Sequence, residues 1–146
     1  MRQTNLLRSY RQVATQTAPP GQLVLMLFEG AIRFLERAMT GFELEDPIDC
    51  NETISNNVIR AQAIIHELNV SLNMEAGGEF SQTMRRLYNY LDYRLMESNL
   101  KKEPAGIKES LARLITLRDA WATMLSGQGP AQAVQETPAP VNMAAA

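Results

Sequence analysis

The sequence predicts an all-α protein: an antiparallel four-helix bundle with an N-terminal arm and a disordered C-terminal tail. Three observations lead there. The seven prolines leave 21–46, 48–103 and 105–129 uninterrupted, and proline inside a helix costs about 3 kcal/mol. Apolar residues within those stretches recur every three to four positions. No run of strict alternation argues for a strand.

Gly41, Gly77-Gly78 and Gly127 divide the chain into four windows, at roughly 19–41, 51–74, 79–99 and 104–126. The second window carries Ile54, Val58, Ala61, Ile65, Leu68 and Leu72, and the third Phe80, Met84, Leu87, Leu91 and Leu95. The fourth carries Ile107, Leu111, Leu114, Trp121 and Leu125, with Arg118 interrupting the row. Asp49 and Glu52 have capping-box spacing, Lys101 and Lys102 suit a helix end, and Pro104 suits a first turn. Helices of about 22 residues, ~33 Å long, joined by short loops, make an antiparallel bundle. Trp121, Leu87, Leu91, Ile65, Leu68 and Leu111 are expected in its core.

The organisation read from the sequence is an arm at 1–18, a bundle at 19–126 and a tail at 127–146. The tail holds Ala, Pro, Gln and one charge, too little apolar bulk to offset the entropy of ordering. In the arm, Leu6, Leu7, Tyr10, Val13 and Ala14 form one apolar face among Arg2, Arg8 and Arg11. Such a segment is marginal alone and needs a surface to lie on.

Composition excludes several classes. With 146 residues and 14 Lys+Arg against 16 Asp+Glu, the chain lacks the positive excess of a nucleic-acid binder. No apolar run approaches the ~20 residues that span a bilayer, and no signal peptide is legible, so the expectation is a cytoplasmic protein without membrane insertion. One cysteine, Cys50, cannot form an internal disulfide. One histidine, His66, has Ala63 three residues before it, so the Glu-x-x-His element of di-metal bundles is missing. Neither a phosphate loop nor a nucleophile–base pair is present. The expectations are no enzyme, no catalytic residue, no metal and no cofactor. Histidine phosphotransfer domains are also four-helix bundles, and His66 lies about 120° from the core stripe of its helix. It is followed by Glu67, Leu68, Asn69 and Val70 rather than the lysine and small residues typical there.

The informative feature is surplus apolar surface. In the first helix Leu23, Leu27, Gly30, Phe34 and Ala38 form one stripe, and Val24, Phe28, Ile32, Leu35 and Met39 a second. Together they cover roughly 220° of the circumference, where a surface helix uses little more than 100°. In the second helix Ile59, Ala63 and Val70 lie opposite the core stripe. Surface of this kind needs a cover: a deeper burial of the first helix, a partner, the arm, or a second subunit. Phe28, Ile32, Leu35, Ile59, Ala63 and Val70, with Leu6, Leu7 and Tyr10 of the arm, are the candidate partner-binding residues. A monomer or weak homodimer is expected.

Specific words along the chain then resemble the FliS family of flagellar secretion chaperones. Tyr10, Thr17-Ala18-Pro19 and LMLFEGAIRFLERA at Leu25–Ala38 are similar to its opening. Ile59, Ala61, Ile64-Ile65, Glu67-Leu68 and Ser71-Leu72-Asn73 follow, then Leu87-Tyr88-Asn89-Tyr90, Arg94-Leu95, Ser98-Asn99 and Leu117-Arg118-Asp119-Ala120-Trp121. Phe28 and Asn89 depart from the Tyr and Asp expected there. The resemblance implies a bundle that binds the C-terminal segment of flagellin in the cytoplasm, prevents premature polymerisation and keeps the subunit competent for type III export. It further implies flagellar regulators or export-gate components as partners, and an arm that folds over the binding surface. The rival is the phosphotransfer domain using His66.

Overall fold

A computed structural model describes residues 20–127, so the arm face of Leu6, Leu7 and Tyr10 and the tail lie outside the described residues. Four helices follow in order: α1 (Pro20–Gly41), α2 (Pro47–Val70), α3 (Gly78–Lys101) and α4 (Ala105–Gly127). There is no strand among the described residues. Each helix packs on its chain neighbours, and α4 closes back on α1. Named contacts fix the antiparallel sense. Gly41 of α1 abuts Ile54 of α2, Ser98 of α3 meets Ile107 of α4, and the Trp121 indole of α4 donates to the Gly21 carbonyl of α1 at 2.8 Å.

Helix boundaries differ from the sequence reading where side chains compete to cap. Helix α2 begins a turn earlier than Asp49 and Glu52 suggest. Asp46 is its N-cap, accepting from the Asp49 backbone N–H at 3.0 Å, and Pro47 occupies the first turn. A proline that reads as a break is here an opening, because its absent N–H would be unpaired there anyway. The same helix ends at Val70, where Ser71 caps it and its hydroxyl donates to the Leu68 carbonyl. Leu72 therefore leaves the helix yet still packs on the core. Helix α3 runs two residues past its window and closes on Lys102 in the left-handed conformation, φ 53.

The core centres on Leu35, Ile54, Ile65, Leu68, Leu91, Leu95, Ile107 and Leu114. Of the six residues placed there from the sequence, Ile65, Leu68 and Leu91 are buried, while Leu87, Leu111 and Trp121 are only partly so and pack against the core. The first helix supplies the main correction. Phe28, Ile32 and Leu35 are 3%, 4% and 0% exposed, so they are enclosed by the bundle itself. Every helix has two neighbours, but α1 packs more closely on α2 and α4 than α3 does on its own two, and closer packing on both sides takes a wider apolar arc.

At the α3–α4 turn the helices approach closely. Ser98 donates its hydroxyl to the Glu103 carbonyl and accepts the Ile107 N–H at 3.3 Å. Gly106 fits beside it only because it lacks a Cβ, which would fall on the Arg94 carbonyl oxygen and 3.0 Å from the Ser98 Cβ. Gly106→Val is expected to destabilise the bundle by at least ~1–3 kcal/mol, the usual cost of overpacking. Chemical denaturation checks it, and an unchanged midpoint refutes the close approach.

Candidate functional site

Most of the exposed large apolar side chains among the described residues lie on α2 and α3. On α2, Ile59 is 37% and Val70 54% exposed; on α3, Tyr93 is 55%, Met96 48% and Leu100 81% exposed. Ala63 is half-buried between its α2 neighbours, and Ile48 is exposed at the upper end of that helix. Helical spacing aligns Ile48, Ile59 and Val70 along the edge of α2 that faces α3, and Met96 and Leu100 along the facing edge of α3. The two rows make the rims of a shallow groove.

Its floor is polar. Gln62 of α2 donates its amide to the Asp92 carboxylate at 3.1 Å and to the Asp92 carbonyl at 3.3 Å. One step lower, the Asn69 amide donates to Asn89 at 2.9 Å and accepts from Arg85 at 3.1 Å. One step higher, Asn99 donates to the Ser55 hydroxyl at 3.4 Å. Lys102 donates to the Asn99 side-chain oxygen at 2.7 Å. At the upper end the groove opens into a depression of about 490 Å³ lined by Asn51, Glu52, Ser55, Asn56, Leu100 and Lys102. Hydrogen bonds thus line the outer edge of the α2–α3 seam, beside exposed apolar side chains, while the buried core joins the two helices beneath.

The other edge of α3 is an ion network. Arg94 donates to Glu109 and to Glu97, each at 2.8 Å, while Lys101 and Arg113 add 3.3 Å and 3.2 Å contacts to Glu97 and Glu109. The Tyr90 hydroxyl donates to Glu109 at 2.9 Å. Hydrogen bonds from Arg94 first and Tyr90 next hold the Glu109 carboxyl below its ordinary 4.5, and Arg94 then Lys101 do the same for Glu97. Depressed folded values give a definite sign. The stabilisation is fully present above pH 4.5 and is lost as pH falls through the lower folded values. Glu109→Gln is expected to flatten the fall of the melting temperature below pH 4.5 relative to the parent protein. An equally steep acid limb would show that the network contributes nothing.

The structure separates the sequence candidates into three groups. Ile59, Ala63 and Val70 share the outer face of α2, and Phe28, Ile32 and Leu35 are in the core. Leu6, Leu7 and Tyr10 lie outside the described residues. Sequence reasoning missed Tyr93 and Leu100, and weighed Met96 only as one methionine among eight. The signal was present: positions 93, 96 and 100 repeat at three and four, opposite the core row of α3. His66 is exposed on α2, between Ala63 and Val70. Among the described residues no group of three or more His, Cys, Asp and Glu could hold a metal ion, and no helix is long and apolar enough to cross a membrane.

Among the described residues, a four-helix bundle with apolar side chains exposed beside the α2–α3 seam has the features of a binding protein. The chain belongs to the FliS family: the family model described as Flagellar protein FliS matches residues 3–128. It is 35% identical over 124 residues to the flagellar secretion chaperone FliS of Bacillus subtilis (strain 168), covering 85% of this chain and 89% of that one. It is 33% identical over 119 residues to the flagellar secretion chaperone FliS of Salmonella typhimurium, covering 79% and 86%. Against the flagellar secretion chaperone FliS of Escherichia coli (strain K12) the identity is 30% over 122 residues, covering 81% and 88%. These are named as chaperones, which favours an export-chaperone role over a phosphotransfer domain using His66.

Proposed function

We propose that this protein is a cytoplasmic export chaperone that binds the C-terminal segment of flagellin, blocks its premature polymerisation and keeps it competent for flagellar type III secretion. The observation that carries the reading is the α2–α3 groove, whose rims hold Ile59, Val70, Met96 and Leu100 in solvent. Grooves of this shape take the apolar face of an amphipathic helix, and a chaperone for secretion needs a surface that is free until its client arrives. A segment that folds on binding meets the ordering cost from the buried apolar area.

The protein binds without turnover, with no cofactor. Export-gate components or flagellar regulators are further partners, and the free chaperone is a monomer or weak homodimer. The arm face of Leu6, Leu7 and Tyr10 docks on the spare apolar surface and either competes with the client or locks over it. A pull-down with full-length flagellin and with flagellin lacking its C-terminal segment tests the reading. Capture of the full-length protein alone is expected, and equal capture of both overturns it.

A further inference from the structure

The polar contacts across the groove recur with a period of seven. Ser55, Gln62 and Asn69 stand at that spacing on α2, and Asn99, Asp92 and Arg85 stand at the same spacing, in reverse, on α3. Seven residues rise about 10.5 Å, so a third helix laid along the groove meets one rung per heptad. A single phase of that helix lies over the rungs, while the phases beside it lie over Ile59 and Val70 or over Met96 and Leu100.

The middle rung is short of a donor, while the flanking rungs hold Arg85 and Lys102. The Asp92 carboxylate receives the Gln62 amide and forms no ion pair among the described residues, and Glu52 beside the upper depression forms none either. The two cations that border the floor already direct their donors to it, Arg85 to Asn69 and Lys102 to Asn99. An incoming helix removes water from Asp92, and a carboxylate dried without a new donor is costly. Complementarity at the Gln62–Asp92 rung therefore asks for a partner that brings a donor there, not one that is apolar throughout.

We infer that the groove reads its client in register. The bound segment is an amphipathic helix carrying donor side chains (Asn, Gln, Ser, Lys or Arg) at the heptad phase over the Gln62–Asp92 rung, with apolar residues in the flanking phases. This rests on the flagellin-binding reading and adds a rule for alignment. A slip by one residue places an apolar side chain on Asp92, just as a polar residue at an interior heptad position fixes the register of a coiled coil. The apolar rims supply adhesion, and the polar rungs supply position.

Calorimetric titration of the whole protein with a peptide of the flagellin C-terminal segment tests this. Seven peptide variants are compared, each with the polar residues of one heptad phase changed to leucine. One phase is expected to lose at least tenfold in affinity while its apolar-facing neighbours keep or gain; if every phase keeps or gains, the register is overturned. On the chaperone side, Gln62→Leu enlarges the apolar surface, yet it is expected to bind the unmodified peptide at least tenfold more weakly with an unchanged melting temperature. Equal or tighter binding overturns the inference and leaves the flagellin-binding reading standing. Should Gln62→Leu melt early, the peptide series on the unaltered protein decides. Failure of the unmodified peptide to bind removes the flagellin reading itself, and the register with it.

Discussion

Leu35→Ala is expected to destabilise the protein by ~2–5 kcal/mol, the range for truncating a buried leucine to alanine in a core that relaxes only partly. Leu35 is 0% exposed, and it sits on the helix that packs on both α2 and α4. Removing its isopropyl end leaves a void in the core, which the surrounding helices fill only in part. At about 4 °C per kcal/mol for a domain of this size, the melting temperature should fall by roughly 10–20 °C. The same measurement discriminates between two roles for the second apolar stripe of α1. Were Leu35 a surface contact for a partner, its truncation would leave the melt within about 2 °C and weaken binding instead. A thermal melt followed by circular dichroism gives the answer without any client.

The converse result is expected on α3. Met96→Ser combined with Leu100→Ser should weaken binding of the flagellin C-terminal segment by roughly 10–100-fold, since burying each large apolar side chain contributes about 1.5 kcal/mol or more and only a few contacts dominate an interface. Leu100 is 81% and Met96 48% exposed in the free protein, so neither holds the bundle together. Surface substitutions away from caps and networks usually stay within about 0.5 kcal/mol, and the double variant should melt within ~2–3 °C of the parent. Wild-type affinity in this variant would remove the α3 rim from the binding face and confine the site to α2.

The contrast between Leu35 and Leu100 shows what periodicity decides and what it leaves open. The three-to-four spacing of apolar residues is a local property of one chain segment, and it suffices to place four helices within a few residues of their ends. The ends themselves were less legible. Asp46 and Asp49 are both able to cap, and only the folded backbone shows which carboxylate reaches an N–H.

On α1 the sequence displays two apolar stripes. It cannot say whether a second stripe meets another helix or a partner, because that depends on how closely the neighbouring helices pack. The structure packs α2 and α4 tightly on α1, and Phe28, Ile32 and Leu35 become core. On α2 the outer stripe of Ile59, Ala63 and Val70 was legible because no single core can wrap both sides of a helix. The α3 rim was harder to see, since Met96 and Leu100 acquire meaning only once α2 is packed beside them.

The sequence by itself determined the helical class, the four helices of the described residues and, through ordered words from Tyr10 to Trp121, the family. Tertiary structure alone decided which stripe is buried, where the groove runs and that its floor is polar. The physical reason is range. Helix formation and capping are settled among residues within about four positions of one another, whereas Ser55 meets Asn99 and Gln62 meets Asp92 only after α2 and α3 have packed antiparallel.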